Sequence, residues 1–79
     1  TTTIGYDLPA AGRVVLNVYS MNGQVVRRLV GEGKAAGYHR VEWDGRDGQG
    51  REVASGIYLY RLIIDESNFS MTRRMMLLR

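Results

Sequence analysis

Apolar and polar residues alternate with a period of two along most of the chain, the pattern of half-buried β-strands. "TTTIGYDL" puts Ile4, Tyr6 and Leu8 on one face, and Pro9 and Gly12 then break the run. "RVVLNVYS" puts Val14, Leu16 and Val18 on one face and Asn17 on the other. Asn22-Gly23 follows, a pair that tolerates the positive φ of a tight hairpin, and "VVRRLV" is the return strand. "GEGKAAG", from Gly31 to Gly37, reads as a flexible connection. "YHRVEW" alternates again, with Val41 and Trp43 facing one way and Arg40 and Glu42 the other. In "GIYLYRLII", Tyr58, Tyr60, Leu62 and Ile64 share a face and Arg61 points away. "DESN" turns the chain into a last strand, "FSMTRRMMLLR".

With a very short strand at Glu52-Val53, this makes about seven short strands separated by turn signals, and predicts an all-β, antiparallel sandwich. "VVRRLVGEGKAA" has some helical periodicity, but its valines and glycines oppose a helix. Two strands carry apolar residues on both faces. Ile57, Leu59 and Ile63 form a second stripe in one. In the last strand Met71, Met75 and Leu77 share a face with Arg73, while Met76 and Leu78 lie on the other. Such strands are central and covered, or else they mark a partner surface.

The length of 79 residues sets one small domain, residues 1–79, whose core is only just sufficient on its own. There is no cysteine, and the one histidine cannot build a zinc site, so stability rests on packing. Eleven basic against eight acidic residues give a net charge of +3, short of the clustered basic footprint of a nucleic-acid binder. No apolar run is long enough to span a bilayer as a helix. The chain starts at Thr1 without a signal peptide, so we expect a module excised from a longer protein.

The densest cluster of polar chemistry is "VEWDGRDGQG", where Asp44, Gly45, Asp47 and Gly48 follow Trp43. Counted from Asp44, an EF-hand would need oxygen ligands where Arg46 and Gly48 stand. No GxxxxGK[ST] phosphate loop occurs. The stretch reads as tight turns, with glycines supplying positive φ and aspartates bonding their own backbone; a weak surface calcium site through Asp44 and Asp47 is the remote alternative. His39 has no orienting partner, and Ser20, Ser55, Ser67 and Ser70 sit in no nucleophile context. Asp65 and Glu66 are adjacent and point apart, which suits a soluble hairpin tip. The doublets Arg27-Arg28 and Arg73-Arg74 split across the faces of their strands and form no compact phosphate clamp. Trp43 is in phase with the core residue Val41, whereas Tyr19 and Tyr38 are candidates for a sugar-stacking platform. Tyr58, two residues past Gly56, suits a tyrosine corner. These residues point to a protein that is not an enzyme and needs no cofactor.

Several blocks in order carry a resemblance: Leu8-Pro9 with Gly12, Val18-Tyr19 to Gly23, Gly37-Tyr38 with Trp43-Asp44-Gly45, Ser55-Gly56-Ile57-Tyr58, and Arg74-Met75 near the end. Together they resemble the immunoglobulin-like domain of the FlgD-like and type IX secretion C-terminal sorting families. The resemblance implies a small immunoglobulin-like β-sandwich at the end of a secreted protein. It would be recognised by type IX machinery, carrying an N-terminally attached cargo across the outer membrane of a Gram-negative bacterium to the surface or the medium. Gly56, Tyr58, Arg73, Arg74, Met75, Met76, Leu77 and Leu78 would then be recognition residues, within the Gly56–Leu62 strand and the Arg73–Arg79 tail. Asn22, Gly23, Trp43, Asp44 and Gly45 would be turn and core residues. The chain departs from the family at "DESN", where a glycine is common, and at Arg73 and Arg74, where lysine is usual and arginine is no equivalent at a specific contact. A structural assembly or spacer module is the alternative, with carbohydrate binding behind it. The oligomeric state is left open.

Overall fold

The computed structural model describes residues 1–65 and 69–78, and they form an antiparallel sandwich of two sheets. The strands are β1 (Thr2–Leu8), β2 (Gly12–Tyr19), β3 (Val25–Lys34), β4 (Gly37–Trp43), β5 (Gly56–Ile64) and β6 (Phe69–Leu77). One sheet is the pair β1-β4. The other has four strands in the order β3-β2-β5-β6. The family expectation of an immunoglobulin-like sandwich therefore holds, with six strands among the described residues where the sequence suggests about seven.

The missing strand is Glu52-Val53. Glu52 makes only an isolated bridge to Arg46, because the loop closes on itself before a ladder can extend. The connection expected at "GEGKAAG" is also shorter than the glycines suggest. Gly31 to Lys34 continue β3, pairing in register with Val15 to Gly12. Ladder pairing overrides the weak strand preference of glycine there, and Lys34 pairs with Glu32 at 3.0 Å. The "DESN" turn falls on Glu66, Ser67 and Asn68, and the tail ends on Arg79; these four lie outside the described residues.

Alternation places the core as expected on β1, β2 and β5. Ile4, Tyr6, Leu8, Val14, Leu16, Leu62 and Ile64 form one buried cluster with Val30. A second cluster, Val18, Trp43 and Leu77, is joined by Val26, Leu29, Val53, Tyr58 and Met75. The ambiguous strand β6 is settled by pairing: Leu62 lies opposite Met71, Tyr60 opposite Arg73, Tyr58 opposite Met75 and Gly56 opposite Leu77. Its inward row is therefore Met71, Arg73, Met75 and Leu77, leaving Arg74 and Met76 outside. A two-stranded sheet cannot cover all four strands beneath it. The uncovered part lies along β6, where Arg73 stays exposed although its row faces inward.

Bulges shape the other side. Leu16 faces Val30 but Asn17 faces Arg28, and Val18 faces Arg27 but Tyr19 faces Val25, so Leu29 and Val26 are the extra residues in β3. Both pack against the core. The β2–β3 hairpin has a three-residue tip, Met21-Asn22-Gly23, closed by Ser20 N–H to the Gln24 carbonyl at 2.9 Å and Gly23 N–H to the Ser20 carbonyl at 2.9 Å. Gly23 takes the left-handed conformation there, with φ of 90°, and the Ser20 hydroxyl donates to the Asn22 side-chain carbonyl.

This division of β6 predicts unequal costs for neighbours. Leu77 is 1% exposed and Met76 56%. Leu77→Ala should lower unfolding free energy by about 2–5 kcal/mol, and Met76→Ala by no more than about 0.5 kcal/mol, read from urea denaturation of each purified variant.

Candidate functional site

The glycine-rich stretch after Trp43 is built as a closed loop. The indole N–H of the fully buried Trp43 donates to the Arg46 carbonyl at 2.9 Å. The chain must fold back within three residues to bring that carbonyl round, and Gly45, with φ of 75°, permits it. The Asp44 carboxylate accepts from the Arg46 N–H at 3.1 Å and from the Arg27 guanidinium at 3.1 Å, which ties β3 to the loop. Asp47 accepts from the N–H groups of Gln49 at 2.9 Å and Arg51 at 3.0 Å, and pairs with the Arg51 guanidinium at 3.2 Å. The Arg51 backbone N–H, ahead of the other donors, holds the Asp47 carboxyl below its usual range, while partial desolvation opposes the shift.

Both aspartates are thus engaged with N–H donors, as a turn requires. Among the described residues no group of three or more His, Asp or Glu side chains converges to hold a metal ion. The sequence reading assigns a conformational role to Gly48 as well as Gly45. The structure corrects this: the left-handed residue is Gly50, with φ of 84°, while Gly48 has open space where a Cβ would stand.

The remaining candidates are placed as follows. His39 stacks on Tyr6 with ring centroids 5.4 Å apart, and its Nε2 lies 2.7 Å from the Ala35 carbonyl oxygen. Tyr58 forms the corner that its position suggests: its hydroxyl donates to the Ala54 carbonyl at 2.6 Å, and its ring meets Trp43 edge-on at 5.1 Å. Tyr19 lies on the outer face of the four-stranded sheet and Tyr38 on the outer face of the β1-β4 pair. They stand on opposite sides of the sandwich and form no shared sugar platform. Tyr38 instead lies over Gly5, where any Cβ would collide with its hydroxyl.

The eight proposed recognition residues do not form one surface. Leu77 is core, Met75 packs between both clusters, and Tyr58 is held by Trp43 and Ala54. Gly56, with φ of 150°, starts β5 opposite Leu77. Arg73 faces an open groove of about 420 Å³ between β1 and β6, lined also by Tyr6, Tyr60, Met71 and Phe69. Arg74, Met76 and Leu78 are exposed. Met76 pairs with the exposed Ile57, extending this patch onto β5. Ile57 is absent from the resemblance-based set, although the second apolar stripe of its strand signals it. The link between Arg27 and Asp44 has no sequence signal, since it joins β3 to the loop after β4, seventeen residues on.

The family model described as FlgD Ig-like domain matches residues 1–64. The structure of FlgD from P. aeruginosa superimposes with a TM-score of 0.67 at 28% identity, over 95% of this chain and 59% of that one. PorZ, described as an essential bacterial surface component of the type IX secretion system of Porphyromonas gingivalis, superimposes with a TM-score of 0.63 at 17% identity, over 98% of this chain and 11% of that one. At that identity the likeness to PorZ is one of fold. The chain thus corresponds to less than two thirds of either protein. No curated protein sequence matches it.

Gly45→Ala and Gly50→Ala should each cost about 1–2 kcal/mol, because a Cβ is disfavoured at positive φ, whereas Gly48→Ala should leave the thermal midpoint unchanged; equal loss in all three would contradict the loop conformation. Asp47 has a depressed folded-state pKa. Its stabilisation is full above the unfolded value of about 4 and is lost as pH falls through the folded value. Wild type should therefore unfold at a higher temperature than Asp47→Asn at pH 7, and the gap should close towards pH 2.

Proposed function

This chain belongs to the FlgD Ig-like domain family, and from that premise we propose that it is a non-catalytic docking domain that serves as a sorting signal for type IX secretion. In this reading secretion machinery recognises the domain, and an attached cargo travels with it across the outer membrane to the cell surface or the medium. The observation that carries the reading is the division of labour in β6. Leu77 and Met75 anchor the strand in the core, so that Arg74 and Met76, with Leu78 just beyond the strand, are held outward on a rigid element beside Ile57. A cationic and apolar patch held in this way suits protein recognition better than chemistry.

A structural role in assembly is the second reading, and the 28% identity with FlgD favours it. Both readings use the domain as a surface, and they differ in what the surface serves.

Deleting Arg73–Arg79 would remove Leu77 and unfold the domain, so truncation cannot separate recognition from folding. The outward residues can. We would fuse the domain behind a signal peptide and a fluorescent reporter in a bacterium with type IX secretion, and compare it with R74E/M76S/L78S. The variant should keep its thermal midpoint and retain reporter in the periplasm, while the unaltered domain delivers it outside. Equal periplasmic retention of both folded fusions would reject sorting and favour the assembly reading. Equal export of both would reject recognition through this patch.

A further inference from the structure

The outer face of the four-stranded sheet collects residues that are far apart in sequence. Asn17 in β2 lies opposite Arg28 on one side and Arg61 on the other. In the adjoining row Tyr19 lies opposite Leu59, and Leu59 opposite Arg74. Arg28, Arg61 and Arg74 are all exposed. The ion pairs among the described residues use Arg13, Arg27, Lys34, Arg46 and Arg51, so these three arginines have no carboxylate partner there. The outward rows of β2, β5 and β6 contain no aspartate or glutamate. Arg13 in the same row of β2 pairs with Asp65, and Asp47 lines the pocket beside Arg28, but Arg28, Arg61 and Arg74 keep the middle of this face cationic.

Asn17 is the buried polar residue of the described core, 9% exposed although its row faces outward. Its Nδ2 donates to the Tyr19 hydroxyl at 3.3 Å, while its Oδ1 is buried with no hydrogen-bond donor. That atom lies beneath the face, so contact with a partner falls to the arginines around it. The composition points the same way. Arginine, tyrosine and apolar residues without acids or lysine are characteristic of the centre of a protein interface. A nucleic-acid backbone would leave Leu59 uncovered.

We propose that the outer face of β3-β2-β5-β6 docks an acidic segment of a partner protein. Carboxylates of the segment pair with Arg28 and Arg61, and an apolar side chain lies across Tyr19 and Leu59. Arg74 and Met76 form the β6 edge of this same face, so the assignment is tested apart from the sorting reading through Arg28 and Arg61, which lie outside the Arg74–Met76–Leu78 patch.

The test is an NMR titration of the ¹⁵N-labelled domain with a synthetic peptide of alternating glutamate and leucine. A lysine–leucine peptide, phosphatidylglycerol vesicles and duplex DNA are the comparators. The acidic peptide should shift the signals of Tyr19, Leu59 and Arg61 and the side-chain amide of Asn17. Its affinity should fall with added salt, and drop about tenfold or more in R28E/R61E. R28Q/R61Q, measured beside it, keeps the result readable if charge reversal perturbs folding. Shifts confined to another face, or none, overturn the proposal. So does tighter binding of vesicles or DNA through the same arginines, which would make the face a general polyanion surface.

Discussion

The burial of Trp43 organises this domain. An indole cannot be fully buried without a partner for its N–H, and here the partner is the Arg46 carbonyl three residues on. That one bond dictates a reversal immediately after β4. The reversal requires Gly45 in a left-handed conformation and recruits Asp44 to hold the Arg46 N–H. Asp44 in turn holds Arg27, so the same knot fastens β3 to the end of β4. On its other sides the ring meets Tyr58 and shares a cluster with Val18 and Leu77. The aspartates and glycines that crowd this loop serve that geometry.

The second determinant is the unequal size of the sheets. Two strands over four leave the inward row of β6 partly uncovered, which is why Arg73 can sit in a core phase and still reach water. It also makes β6 an edge strand with two different tasks. Alternation assigns them residue by residue, Met75 and Leu77 to packing and Arg74 and Met76 to the outside. In the recognition we propose, a strand whose alternate residues are anchored in the core would itself lose little conformational entropy on binding.

The chain belongs to the FlgD Ig-like domain family and shares its fold with FlgD and PorZ. These likenesses frame where the special features lie. The family match ends at Ile64, so β6 lies beyond it, while the structural likeness to FlgD extends over 95% of the chain. The common scaffold is therefore the sandwich, and a particular specificity has to come from side chains displayed on it.

Much of this was legible in the sequence because strand alternation is a local signal. Val14, Leu16 and Val18, or Tyr58 to Ile64, display their buried face without reference to any other segment, and the block order carried the family. Turn chemistry was legible in kind, since glycine and aspartate act on their own backbone. It was not legible in detail, and the left-handed position proved to be Gly50 where Gly48 had been expected. Everything that depends on pairing between distant segments required the tertiary structure. Register turned "GEGK" into strand, reduced Glu52-Val53 to a bridge, and chose the inward face of β6. It divided the expected recognition residues between core and surface, and it brought Arg28, Asn17 and Arg61 into one row. The sequence by itself determined the central part of each strand and the family they compose, because those properties are set by neighbours along the chain. The outward surfaces were decided only by the tertiary structure, because a side chain's neighbours across a sheet are fixed by hydrogen-bond register between strands that the sequence does not pair.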